Sequence, residues 1–247
     1  WSFQYLLTTI LPIKYQIEVA HLINLIFSIF TIFGISKISK ILFNKEVGKI
    51  SFLILFFYPI FFGHMSINSK DSIIAFSNVW IVYYILEYLK KQSLNYNTNK
   101  LVFRIGVLTA ISTGILLFFA GSLIPIFLFL ILEIFLFKKI INKSFSIKKF
   151  FIDLFKCFVV FYFLLTFFWI DAHPNVLTLP YQYFMEFFNS NFWTGWPYNL
   201  VGGNYFLSAE IPKNYLLTSI FYKTPEYILI AYILFIFLYF FSKYFFL

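Results

Sequence analysis

Long apolar runs separated by short polar connections constrain this chain more than any other feature. About seven of them occur, over 17–36, 49–63, 71–89, 102–119, 122–138, 150–170 and 226–246. A helix rises 1.5 Å per residue, so crossing a bilayer core takes about 20 apolar residues, or fewer where flanking lysines reach back to the interface. A water-soluble fold of this size could not hide so much apolar surface. Of the 247 residues, 61% are hydrophobic and 12% are charged, against about 25% charged in ordinary globular domains. The expected fold class is an all-α membrane protein of about seven transmembrane helices, forming a single polytopic transmembrane domain over 1–247. The second run is short, and little more than Ala120-Gly121-Ser122 separates the fourth from the fifth. So tight a joint predicts an antiparallel helical hairpin.

The positive charges follow the runs. Lys37, Lys40, Lys45 and Lys49 flank the first connection, and Lys90, Lys91, Lys100 and Arg104 the third. Lys138, Lys139, Lys143, Lys148, Lys149 and Lys156 flank the fifth, and Lys243 lies near the C-terminus. Of the 19 Lys and Arg residues, only Lys14, Lys70, Lys213 and Lys223 remain for the other side. Lysine-rich connections stay cytoplasmic, so 61–71 becomes an outward loop. The net charge of +9 then reports topology rather than affinity for nucleic acid. The abundant Phe, Ile, Lys and Asn share AT-rich codons, so the aromatic content is not read as a stacking surface. The expected location is an integral protein of a bacterial inner membrane, with its working face on the periplasmic, outer side.

Other ionisable groups gather on that outward side. They are Glu18, Asp71, Asp171, Glu186, Glu210 and Glu226, with His21, His64 and His173. The histidines and acids are scattered without short ligand spacing, so they read as interfacial side chains and no metal site is expected. The lone Cys157 lies in an apolar run and reads as packing. Glu87, Glu133 and Asp153 lie near lysine-rich helix ends and are expected to pair with lysines.

A long outward segment over 171–225 holds five of the eight prolines and the dipeptide Gly202–Gly203. Within it, 176–189 has the pattern of an amphipathic helix lying in the interface, with Trp193 and Trp196 as anchors. Asp171 and His173 sit where the chain leaves the membrane, a position that suits either a cleft wall or plain solvation. The chain opens on Trp1 without a secretion signal and reads as mid-protein, so a fragment lacking an N-terminal part is expected.

The stretch Phe61–Phe76, FFGHMSINSKDSIIAF, sets His64, Ser66, Asn68, Lys70 and Asp71 between two apolar runs. Asp71 would start a helix, where an anion suits the helix dipole and a capping role is one reading. Lys70 fits a headgroup anchor, a partner for Asp71, or a point charge for a phosphate. His64 fits a loop-structuring bond or a contact to sugar or phosphate.

Residues 17–89 resemble the C-type integral-membrane glycosyltransferases, in the dolichyl-phosphate-mannose-protein mannosyltransferase-like group (glycosyltransferase family 39-like). One branch carries P-x-F-F-G-H-S-x-x-N-P-K-D before a helix. Here Pro59, Phe61, Phe62, Gly63, His64, Asn68, Lys70 and Asp71 match, Ser66 is displaced by one, and Ser69 replaces the proline. His21, Leu22 and Asn24 resemble the family's R-H-L-x-N stretch. Over 168–225 the order of Trp169, His173–Pro174, Trp193, Gly202–Gly203, Ile211–Tyr215 and Thr224–Pro225 is similar to that of members, with Lys213 where they carry Trp. Members often hold an Arg before a Gly-Gly near the position of Phe119–Ser122. None stands here, so another cation would have to meet the lipid phosphate.

The resemblance implies sugar transfer from a polyprenyl-phosphate donor to a hydroxyl of a protein, lipid or glycan acceptor at the outer face, with no cofactor required. It implies Asp71 as the catalytic-site acid matching the family's second acidic position, the principal acid lying upstream of Trp1. It places His64, Asn68, Lys70, Asp171, His173 and Lys213 as substrate-binding residues. The alternative is a lipid-linked oligosaccharide flippase or another polytopic transporter. That alternative would show broken helices and polar groups near mid-membrane.

Overall fold

The computed structural model describes residues 12, 15–68, 70–94, 96–117, 119–141, 144–168, 178, 181–182, 185, 197–207 and 210–245. The chain divides into two compact units. One comprises Trp1–Phe57 and Phe61–Phe188, the other Tyr58–Ile60 and Asn189–Leu247.

The first unit opens with α1, Gln16–Leu42. Asn44 then caps α2, Lys45–Phe56, its Oδ1 accepting from Val47 N at 2.9 Å. Pro59 follows closely and disfavours helical backbone at the residue before it. The chain resumes as the short α3, Pro59–His64. After a turn come α4, Asp71–Ser93, and α5, Asn99–Ile115. A one-turn α6, Phe119–Ser122, leads to α7, Ile124–Leu132, with a proline in its first turn. α7 widens into a π-turn, Glu133–Phe137, which ends at Lys138 in the left-handed region (φ 49°). α8, Ile147–Phe168, closes the set.

α1 packs on α2 and α4, α4 on α5, and α5 on α8. Two of these crossings are close because a glycine sits at the contact. A Cβ on Gly106 of α5 would lie 2.9 Å from both Cys157 O and Val160 Cγ1 of α8. At Gly34 of α1 the missing side chain lets Trp80 Nε1 come within 3.2 Å of the Cβ position and donate to Phe30 O at 3.0 Å. The buried core holds Tyr88, Leu89, Leu101, Val102, Leu130, Ile134 and Phe150. Large apolar side chains remain exposed along α8, including Phe155, Phe158, Phe163 and Phe167. Such a surface suits lipid, because the backbone bonds are already satisfied within the helices.

Four helical stretches are long and apolar enough to cross a membrane: Gln16–Leu42, Asp71–Ser93, Phe119–Phe137 and Ile147–Phe167. The run 49–63 is divided between α2, of 12 residues, and α3, of 6. The run 102–119 belongs to the 17-residue α5, which stops at Ile115. The joint after α5 is short, and Phe119 is buried there.

Two of the lysine-rich connections, the third and the fifth, meet at one end of this unit. Gln92 Nε2 donates to Ser146 O at 2.7 Å, and Lys149 Nζ donates to Tyr96 O at 3.3 Å. The Ser144 hydroxyl donates to Ser93 O. The loop after α3 lies instead beside Asn24 and Ser28 in the N-terminal half of α1, so α2 carries the chain back along α1.

In the second unit, β1 (Tyr198–Val201) pairs antiparallel with β2 (Asn204–Leu207), with Val201 opposite Asn204. Gly202 and Gly203 form the turn at φ 57° and 88°, which side-chain-bearing residues rarely adopt. Two central residues of positive φ match the twist of a tight hairpin. This two-stranded hairpin is a short interruption in a chain that is mostly helical, as expected. α9, Tyr215–Lys223, and α10, Glu226–Phe245, follow. They are bent by 109° at the break between them and would count as a fifth span if taken as one. The interfacial helix expected over 176–189 lies almost wholly outside the described residues.

Candidate functional site

The loop between α3 and α4 is built onto α1 by two side chains. Asn24 Nδ2 donates to Ser66 O at 3.2 Å, and Ser28 Oγ donates to Met65 O at 3.0 Å. Asn24 and Ser28 stand one turn apart on the same face of α1, and both are buried. Met65 fills the space beneath and is also buried. Loop carbonyls left unpaired at a membrane surface would be costly, so these bonds fix the loop as well as satisfy it. Within the loop, Asn68 N donates to His64 O at 3.1 Å.

Asn68 and Asp71 then bind each other reciprocally. Asp71 N donates to Asn68 Oδ1 at 3.1 Å, and Asn68 Nδ2 donates to Asp71 Oδ2 at 2.8 Å. The first bond satisfies one of the free N–H groups at the start of α4, as an N-cap residue does. The second places a carboxylate in the first turn, where the helix dipole favours it. Asn68 thus acts as the cap, and the capping role considered for Asp71 belongs to the pair. Asp71, Lys70 and His64 are all exposed, and Asp71 has no other protein partner among the described residues. Lys70 forms no ion pair with Asp71 among the described residues.

Of the remaining expected site residues, Lys213 is exposed in the turn before α9, where Tyr215 N donates to Pro212 O at 2.9 Å. It belongs to the second unit, whereas the 61–71 loop belongs to the first. Asp171 and His173 lie outside the described residues. Among the described residues no group of three or more His, Cys, Asp or Glu side chains is placed to hold a metal ion.

The three acids near the lysine-rich end have different fates. Glu87 pairs with Lys91 at 3.4 Å, as its spacing predicts. Asp153, only 2% exposed, pairs with Lys156 at 3.4 Å and also accepts from Tyr88 OH at 3.1 Å and Thr98 Oγ1 at 3.0 Å. Glu133 departs from expectation. Rather than pairing with a lysine, its Oε1 accepts from Ile140 N and, at 3.3 Å, from Ile141 N. The left-handed turn at Lys138 brings those N–H groups back over the π-turn, and the carboxylate closes it.

An apolar cavity of about 240 Å³ lies among α4, α5, α7 and α8, with Ile81, Val102, Leu130, Asp153, Cys157 and Phe161 in its wall. Its lining offers no convergent set of polar groups for chemistry.

The roles of Asn24 and Ser28 went unassigned in the sequence, although the signal exists. Asn24, Ser28 and Thr31 share the buried face of α1, and hydrogen-bonding side chains need partners once buried. Comparisons with protein-family models, with curated proteins and with solved structures return no match.

Proposed function

We propose that this chain is an integral-membrane glycosyltransferase resembling the C-type enzymes, moving a sugar from a polyprenyl-phosphate donor to an acceptor hydroxyl at the outer face of a bacterial inner membrane. One observation carries the reading. The two stretches of the first resemblance, His21–Asn24 and Pro59–Asp71, are bonded to each other through Asn24 and Ser66. They are 42 residues apart in sequence, and the return of the chain through α2, packed on α1, sets them side by side, which supports their contributing to one site. In this reading seven crossings are made by α1, α2 with α3, α4, α5, α6 with α7, α8, and α10.

In an inverting transfer the acceptor oxygen bonds to the anomeric carbon as the bond from that carbon to the phosphate oxygen breaks. The polyprenyl phosphate leaves with the bonding pair, and a carboxylate takes the acceptor proton. Asp71, exposed and held by the Asn68 amide, orients the acceptor or a cation. Lys70 offers an exposed ammonium to the leaving phosphate. His64 and Asn68 on the same loop contribute to binding donor or acceptor, a role that the resemblance also implies for Asp171, His173 and Lys213.

A transporter is the second reading, and the 109° bend between α9 and α10 favours it, because discontinuous helices mark substrate paths. Proteoliposomes separate the two. A panel of labelled polyprenyl-phosphate hexoses is supplied on one face with acceptor extract. Label moving into the acceptor, with no movement of intact donor across the bilayer, supports transfer. Intact donor crossing without sugar release overturns it.

A further inference from the structure

We propose that Lys37 and Arg104 form a binding site for the phosphate headgroup of an anionic phospholipid, at the lysine-rich end of the first unit and apart from the 61–71 loop. Lys37 comes from α1 and Arg104 from α5, and both pack over the aromatic face of α4 between them. Lys37 Nζ lies 5.0 Å from the Trp80 ring and 5.4 Å from that of Tyr83. Arg104 Cζ lies 5.4 Å from the Tyr84 ring. The rings form one cluster, with Trp80–Tyr83, Trp80–Tyr84 and Tyr83–Tyr84 centroids 5.3, 5.6 and 5.4 Å apart.

Three features suit this pair to a shared anionic ligand. Neither residue lies in a helix's terminal turn: Lys37 comes before the last turn of α1, and Arg104 follows the first turn of α5. Their charges are held by ring faces, which attract a cation without consuming its N–H groups. Three ammonium and five guanidinium donors therefore remain for an acceptor. Finally, neither is in an ion pair among the described residues, and the nearby Glu87 is engaged with Lys91. Both cations are exposed, and a phosphate diester suits them because it accepts from a guanidinium in bidentate fashion and from an ammonium at a point. Basic pockets between membrane helices on the lysine-rich side recruit such headgroups.

The full chain, purified in detergent, is incubated with equimolar phosphatidylglycerol and phosphatidylcholine and examined by native mass spectrometry. The wild type is expected to retain phosphatidylglycerol in preference. The double variant Lys37→Gln with Arg104→Gln should lose about 30-fold in that preference, taking the usual worth of two interfacial cations. Lys37→Arg with Arg104→Lys should keep it, which separates loss of charge from loss of fold. Lys45→Gln with Lys148→Gln, two exposed lysines of the connections, should also keep it. An equal loss in that control pair, or no preference in the wild type, overturns the proposal. So does binding of inorganic phosphate as tight as that of phosphatidylglycerol, which would mark a site for free phosphate.

Discussion

Two carboxylates of the first unit, Asp153 and Asp71, are treated in opposite ways. At the lysine-rich end Asp153 is sealed among Tyr88, Thr98 and Lys156, so both of its oxygens are occupied. At the loop end Asp71 is exposed and held through one oxygen by Asn68. A buried carboxylate whose bonds are saturated joins helices, because every group it touches would be stranded without it. An exposed one, fixed by a single amide on a loop that is itself tied down, is aimed but still accessible. Acidity alone does not separate a strut from a working group, whereas occupancy and exposure do.

The sharpest way to break the comparison is Asp153→Ala. It leaves the Tyr88 and Thr98 hydroxyls buried without an acceptor, and should cost about 2–4 kcal/mol of stability. Unfolding in mixed micelles measures this. A loss no larger than that of an exposed-lysine variant would end the structural role of Asp153. Next comes the loop's anchorage. Asn24→Ala should cost about 1–2 kcal/mol, and the loop around Ser66 should become more open to protease or thiol labelling. An unchanged loop would mean that Ser28 and Met65 hold it alone.

Smaller effects sharpen the picture at the helix start. Asn68→Ala removes the cap and should cost about 1 kcal/mol, lowering the thermal midpoint modestly. Gly63 should matter least for folding, since a Cβ there meets nothing within 4 Å. Gly63→Ala is expected to leave stability unchanged within about 0.5 kcal/mol. A loss of activity in that stable variant would show that the open space beside His64 belongs to substrate.

Much of this arrangement is legible in the residues. Apolar runs and lysine clusters place the polar connections at alternate ends, and the bonds joining 88–98 to 144–153 place two of those clusters together. The pairing of Glu87 with Lys91 follows from helical spacing. Other parts were hidden for physical reasons. Asn24 and Ser28 bond to backbone carbonyls, which every residue carries, so nothing in 61–71 marks their partners. Glu133 also bonds to backbone, through a turn that depends on a left-handed lysine. The hairpin was in plain view in Gly202–Gly203 between Val201 and Asn204. Its signal lies inside a segment whose prolines, tryptophans and amphipathic pattern point to membrane contact instead.

The central claim is that the accessible acid, not the sealed one, serves chemistry. The direct measurement is transfer of label from polyprenyl-phosphate hexoses to acceptor in membranes carrying wild type or Asp71→Asn, with insertion and thermal stability followed in parallel. The account predicts that Asp71→Asn inserts and folds as wild type does, yet loses transfer by about 100-fold or more. Full transfer by a normally inserted Asp71→Asn protein would contradict it.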